Sequence, residues 1–127
     1  MSLEQNLTNV SILAGEDLSA GQYLGVAVAT DNTGVKRVAT LGAQGVGILQ
    51  NAPVSGQPAS VGIVGISKAI VGVGDVASAG LKLQFDAAGK VIAWATAGHY
   101  ACGVSLDAGV AGVVIRVLLG SAPAQAT

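Results

Sequence analysis

Charge is scarce in this chain. Only 10% of its 127 residues are charged, against about 25% in an ordinary domain. The net charge is −1, and Lys36-Arg37 is the one adjacent basic pair. Nucleic-acid binding requires a cluster of cations to neutralise phosphates, so no nucleic-acid partner is expected. Aromatic residues are nearly missing: Tyr23, Phe85, Trp94 and Tyr100 are the full set. A lone Cys102 excludes an internal disulfide. No long hydrophobic run occurs. Residues 38–67 carry no charge, but Pro53, Pro58, Gln44, Gln50, Asn51, Gln57 and several glycines interrupt them. A spanning helix needs about 20 mostly apolar residues, so no membrane partner is expected. Glu4 near the start, with no basic residue ahead of it, does not suit a secretory signal. Synthesis in the cytoplasm and a soluble product are expected.

The residues of common catalytic constellations are equally sparse. His99 is the only histidine, and a surface or turn role suits its glycine-flanked setting better than acid–base work. His99-x-x-Cys102 is half of a zinc site, and zinc needs three or four ligands; no second pair exists in the sequence. The acids are spread one per turn, as Glu16-Asp17, Asp31, Asp75, Asp86 and Asp107. Gly72-Val73-Gly74-Asp75-Val76-Ala77 matches G-x-G-x-x-A, but it runs into Ser78-Ala79-Gly80 and a strand-like run. A dinucleotide site needs a helix there. There is no G-x-S-x-G elbow and no phosphate loop. The sequons at Asn6 and Asn9 carry meaning only on a secretory route. The chain is therefore expected to be no enzyme, with no cofactor and no metal.

Small apolar residues make up the rest. Hydrophobic residues are 51% of the chain, which argues against disorder. Short β-branched or alternating runs stand between glycine turns, and no segment sustains a 3.6-residue period. Strands are expected at 22–30, 35–41, 46–50, 59–64, 67–71, 81–86, 90–97, 101–106 and 112–119. Two turns have the form Asp-x-x-Gly, Asp31 to Gly34 and Asp86 to Gly89. Asp bonds the turn backbone and Gly supplies positive φ, which suits a hairpin closed by a type I turn and a G1 bulge. A calcium loop would need more oxygen ligands at fixed spacing.

The turns belong to a longer repeat. Gly15-Glu16-Asp17-Leu18-Ser19-Ala20-Gly21 matches Gly74-Asp75-Val76-Ala77-Ser78-Ala79-Gly80, and each is followed by a leucine, an Asp-x-x-Gly hairpin and a glycine-led run (Gly47-Ile48-Leu49-Gln50-Asn51-Ala52; Gly103-Val104-Ser105-Leu106-Asp107-Ala108). The expected fold is all-β: a small Gly/Ala/Val-rich barrel or sandwich, β-tulip-like, built from two similar half-units at 15–64 and 74–118 of a single domain, 15–120. Residues 1–14 read as an extended N-terminal arm and 121–127 as a flexible tail. So many glycines (19) and so little bulk make a marginal monomer, and an oligomer is expected.

The ordered series from Gly15 to Gly120 resembles the small capsid cement, or decoration, proteins of tailed bacteriophages, a family sometimes carrying a recombinase label. The likeness rests on the G-I-L-Q-N-A-P block with its later glycine, alanine and valine (Gly47 to Val61), the Gly-Ile-Ser-Lys strand at 65–68, the A-G-x-x-L opening and the second hairpin. The resemblance implies a homotrimer on the outer surface of the virion capsid, clamping the major capsid protein and made in the host bacterial cytoplasm. A head-fibre base or a host-surface or carbohydrate-binding module is the alternative. It also implies that the arm contacts the capsid through Leu3, Leu7, Val10 and Ile12. Val10-Ser11-Ile12 alternates like a strand. The arm is accordingly expected to be loose in the free protein and ordered on the capsid, so that deleting residues 2–9 spares folding.

Overall fold

The computed structural model describes residues 7–94 and 98–120. Leu3 and the tail at 121–127 lie outside them. The described chain is all-β. It forms one nine-stranded sheet, so strongly curled that it makes a half-barrel rather than a two-sheet sandwich. The strands are β1 (Leu7–Leu13), β2 (Gly25–Val28), β3 (Val35–Arg37), β4 (Gly47–Leu49), β5 (Pro58–Ile70), β6 (Lys82–Phe85), β7 (Val91–Ala93), β8 (Gly103–Ser105) and β9 (Val114–Leu119). Every ladder is antiparallel. The strands anticipated at 59–64 and 67–71 are one long strand, β5.

The pairings occur twice. Val26 faces Gly47 and Val28 faces Val35; Leu83 faces Gly103 and Phe85 faces Val91. Leu49 faces Val61, and Ser105 faces Val117. The repetition extends to single hydrogen bonds. Leu49 N donates to Leu24 O as Ser105 N does to Leu81 O, and Leu18 N donates to Pro53 O as Val76 N does to Gly109 O.

The repeat begins earlier than the sequence suggests. β1 pairs with the first half of β5 in the register that the second half of β5 keeps with β9: Ile12 faces Ala59 as Ala69 faces Ile115, and Val10 faces Val61 as Ser67 faces Val117. The expectation of a loose arm is thereby corrected. Leu7, Val10 and Ile12 sit in a strand paired along its length, and Val10 and Ile12 pack against a core. Deleting residues 2–9 would remove Leu7, Thr8 and Asn9 from that strand. The matching of Gly15 with Gly74 is also corrected. Gly15 N donates to Val35 O and Gly72 N to Val91 O, so Gly15 corresponds to Gly72. Between Gly72 and Val76 the second copy has three residues, Val73, Gly74 and Asp75, where the first has Glu16 and Asp17, so it carries a one-residue insertion. The boundary between copies falls within β5, which ends one unit and starts the next without a turn.

The halves repeat each other's pairings but meet through unlike surfaces. Leu7, at the start of β1, and Leu119, at the end of β9, both face Gly65. β1 thus pairs with the first half of β5 and β9 with the second, and the two ladders meet at Gly65. Each half curls towards closure through a parallel bridge, Ala14 with Val35 and Val71 with Val91. Two cores form, one of them drawing Val38 and Ile48 from the first half as well. Ala14, Leu18, Val26, Val35, Ala59 and Val61 fill one; their counterparts Val71, Val76, Leu83, Val91, Ile115 and Val117 belong to the other. Ser105 stands where the first half has Leu49. It is 1% exposed, and its hydroxyl accepts from Leu81 N and donates to Ser78 O. A buried hydroxyl with both roles met carries little penalty.

Phe85 breaks the symmetry. Its ring is buried where the second half meets the first, and it covers Gly25 and Gly45, on which a Cβ would overlap the ring. Its counterpart Val28 is 60% exposed.

Candidate interaction surfaces

The two hairpins differ. At 86–89, Gly89 (φ +82°) closes the turn: Gly89 N donates to Asp86 O, Asp86 N donates to Lys90 O, and Asp86 Oδ1 accepts from Ala88 N and Lys90 N. At 31–34 the loop is longer. Asn32 and Gly34 both have positive φ, and Ala29 N donates to Gly34 O, so a type I turn with a G1 bulge describes only the second. Their surroundings differ too. Gly34 lies against the carbonyl of Leu13 in β1, while Gly89 O accepts from Gly25 N across the two halves. The first hairpin therefore braces the arm strand, and the second joins the halves.

Titratable groups serve the architecture. The hydroxyl of Thr33, with Lys36, holds the Asp31 carboxyl down to about 2, and the Arg116 guanidinium does the same for Asp107. The Arg116–Asp107 contact is two-pronged, with Nε and Nη2 each donating at 2.9 Å. Cys102 keeps part of its surface exposed, yet burial pushes its thiol up to about 12. At neutral pH it is protonated and a poor nucleophile. His99 Nδ1 meets Gln84 Oε1 at 3.1 Å, and its carbonyl accepts from Trp94 Nε1. Among the described residues, no three His, Cys, Asp or Glu side chains gather as a metal site. Both aspartates have a folded pKa below the unfolded value near 3.9. Their contribution to stability is present above that value and is lost as pH falls through about 2. Acid titration of the melting temperature should show a decline between about pH 4 and 2. Asp107→Asn should flatten that decline; an unchanged slope would remove the role given to the Arg116 pair.

What the surface offers is apolar. At one end of the second half, the loops at 72–76 and 109–113 are stitched together by the Val76–Gly109 bridge and by Ala111 N donating to Asp75 Oδ1. They display Val73, Val110, Val113 and Val114, with Val73 87% exposed. The corresponding end of the first half shows Leu13 and Val54, with Gln57 and Pro58 where the second half has Val113 and Val114. An open groove of about 390 Å³ runs beside the first hairpin, lined by Val28, Lys36, Val38 and Thr40 among others. The valine tip is not legible in the sequence, because valines in a valine-rich chain carry no signal until their exposure is known.

One strand edge is also open. Ala14 N and O both bond towards the β5 side, to Gln57 and Gly56. Backbone groups alternate along a strand, so Ile12 and Val10 face β5, while Leu13, Ser11 and Asn9 face outward. Among the described residues no strand pairs with that outer edge.

The chain matches no protein-family profile and no curated protein. Among solved structures it is similar to the head fibre gp8.5 N base of bacteriophage phi29, at 11% identity and a TM-score of 0.66, over 91% of this chain and 95% of that one. At that identity the likeness shows a shared fold.

Proposed function

We propose that this chain is a structural protein of a tailed-phage virion, bound to the outside of the head. The observation that supports the reading most is the fold shared, nearly end to end, with a phage head-fibre base. A rigid sheet with an apolar tip and an open strand edge suits a protein that binds other proteins. In the first form of this reading the protein is a cement. It sits as a homotrimer on the major capsid protein, with the valine tip as the principal contact. In the second, favoured by the name of the structural neighbour, it is the base of a head fibre. Purified protein mixed with undecorated heads and imaged by electron microscopy tests both. Regular added density is expected; bare heads at saturating protein would refute either form. Heads that melt higher when decorated support the cement form, because a ligand preferring the intact shell adds RT ln(1 + [L]/Kd) per site. Decorated heads with unchanged melting support the fibre base.

A further inference from the structure

We infer that the outer edge of β1 is an interface between two copies of this chain, joined as an antiparallel β1–β1 pair about a twofold axis at Val10. Strand edges elsewhere in the sheet are engaged. β3 and β7 close against Ala14 and Val71 through the parallel bridges, and β2, β4, β6, β8 and β9 each lie between two strands. The structural counterpart of the β1 edge is the matching edge of β5, at 66–70. There Tyr23 O accepts from Ile70 N at 3.3 Å, and Gln50 Nε2 reaches Ser67 Oγ at 2.8 Å. Tyr23 corresponds to Gly80, since Tyr23 N donates to Leu49 O as Gly80 N does to Ser105 O; Gln50 corresponds to Leu106. Leu106 has no side-chain amide to act as Gln50 does, so that part of the cap is missing from the other half.

The occupant follows from the strand's own sequence. Leu7-Thr8-Asn9-Val10-Ser11-Ile12-Leu13 holds no charge and no proline, the usual guards of an exposed edge. Turned on itself about Val10, the strand matches from Leu7 to Leu13. Its edge is open to a partner's hydrogen bonds over Asn9 to Ser11, since Gly34 stands against the outward carbonyl of Leu13. One face pairs Leu7 with Leu13 and Asn9 with Ser11; the other pairs Val10 with Val10 and Thr8 with Ile12. Apolar meets apolar and polar meets polar, apart from Thr8, whose methyl faces Ile12. Cross-strand pairs of this kind stabilise sheets. Asn9 and Ser11, whose backbone groups face outward, fall opposite each other, as hydrogen-bonding pairs must. Val10 and Ile12 point towards the core yet remain only half-buried, and a neighbouring strand would cover them. A net charge of −1 sets little repulsion against pairing. This contact is independent of the virion reading. It is also distinct from threefold association, since local twofolds on an icosahedral shell run between threefold positions.

The test uses the full chain. Sedimentation should show concentration-dependent pairing. Ser11→Pro removes an outward N–H and no internal hydrogen bond, so it should weaken pairing at least about tenfold while leaving the dilute melting temperature close to that of the native chain. Ser11→Lys, which sets like charge along the edge, should do the same if the proline variant folds poorly. Under oxidation, a mixture of Asn9→Cys and Ser11→Cys proteins should form the mixed disulfide in excess over either homodimer. Absence of pairing at the highest soluble concentration, pairing that neither variant weakens, or cross-linking without preference for the mixed species would each overturn the inference. Failure of the protein to decorate heads would leave this result standing and would count against the virion reading alone.

Discussion

Replacing Phe85 by alanine is expected to cost about 3–5 kcal/mol, the range for removing a fully buried aromatic side chain. The ring is 1% exposed and covers Gly25 and Gly45 of the other half. Its loss leaves a cavity in the larger core, at the side where that core meets Gly25 and Gly45 of the first half. Domain stability is of order 5–15 kcal/mol, so this one change removes a large share. Gly25→Ala alone should also destabilise, because its Cβ overlaps the ring. In the Phe85→Ala background the same Cβ enters the cavity, so the double variant should lose less than the sum of the singles. Denaturant melts of the four proteins give the coupling directly. Strict additivity would mean that the ring and Gly25 do not pack as described.

Gly34→Val should be the most damaging change at a turn, costing about 3 kcal/mol or more by strain and steric overlap together. Gly34 has φ +124°, and a Cβ there would overlap the carbonyl oxygen of Leu13. The hairpin and the end of β1 cannot both keep their places. Gly56 is the control: its φ is +86°, but nothing stands within 4 Å of a Cβ built on it. Gly56→Val should therefore cost only the backbone penalty, about 1–2 kcal/mol. Hydrogen exchange adds a local readout. In Gly34→Val the amides of Ala14 and Gly15, which bond Gln57 O and Val35 O, should lose protection first. Equal losses in the two glycine variants would show that φ alone matters and that Leu13 gives way freely.

Much of this architecture is legible in the sequence, because glycine and aspartate punctuate it. Both hairpins, eight of the strands and the resemblance between the halves come from Asp-x-x-Gly turns and β-branched runs. β1 as the first strand of a copy is not legible. Its counterpart at 64–70, Val-Gly-Ile-Ser-Lys-Ala-Ile, shares no letter with it at matched positions, and only shared hydrogen-bond partners reveal the relation. The one-residue insertion after Gly72 and a second glycine at Gly74 then draw the comparison to Gly74, two residues past the true equivalent. The bonding surfaces are harder still to read. An open edge depends on which strands lie beside it, and Val28 and Phe85 occupy the same place in their copies with opposite exposure. From the sequence, Leu7, Val10 and Ile12 read as contacts of a separate arm. In the fold they help build the body, and it is the backbone edge of Asn9, Ser11 and Leu13 that faces outward.

Leu7 and Leu119 each lie one strand spacing from Gly65, so no more than about 10 Å separates them and a short link could close the chain into a ring. β5 shows what an uncut junction looks like, since one copy passes into the next there without a break. The break between Leu119 and Leu7 can therefore be moved. A permuted chain that starts at Val64, ends at Ile63 and carries a short Gly-Ser linker from Gly120 to Leu7 would keep every ladder while exchanging the roles of the two halves.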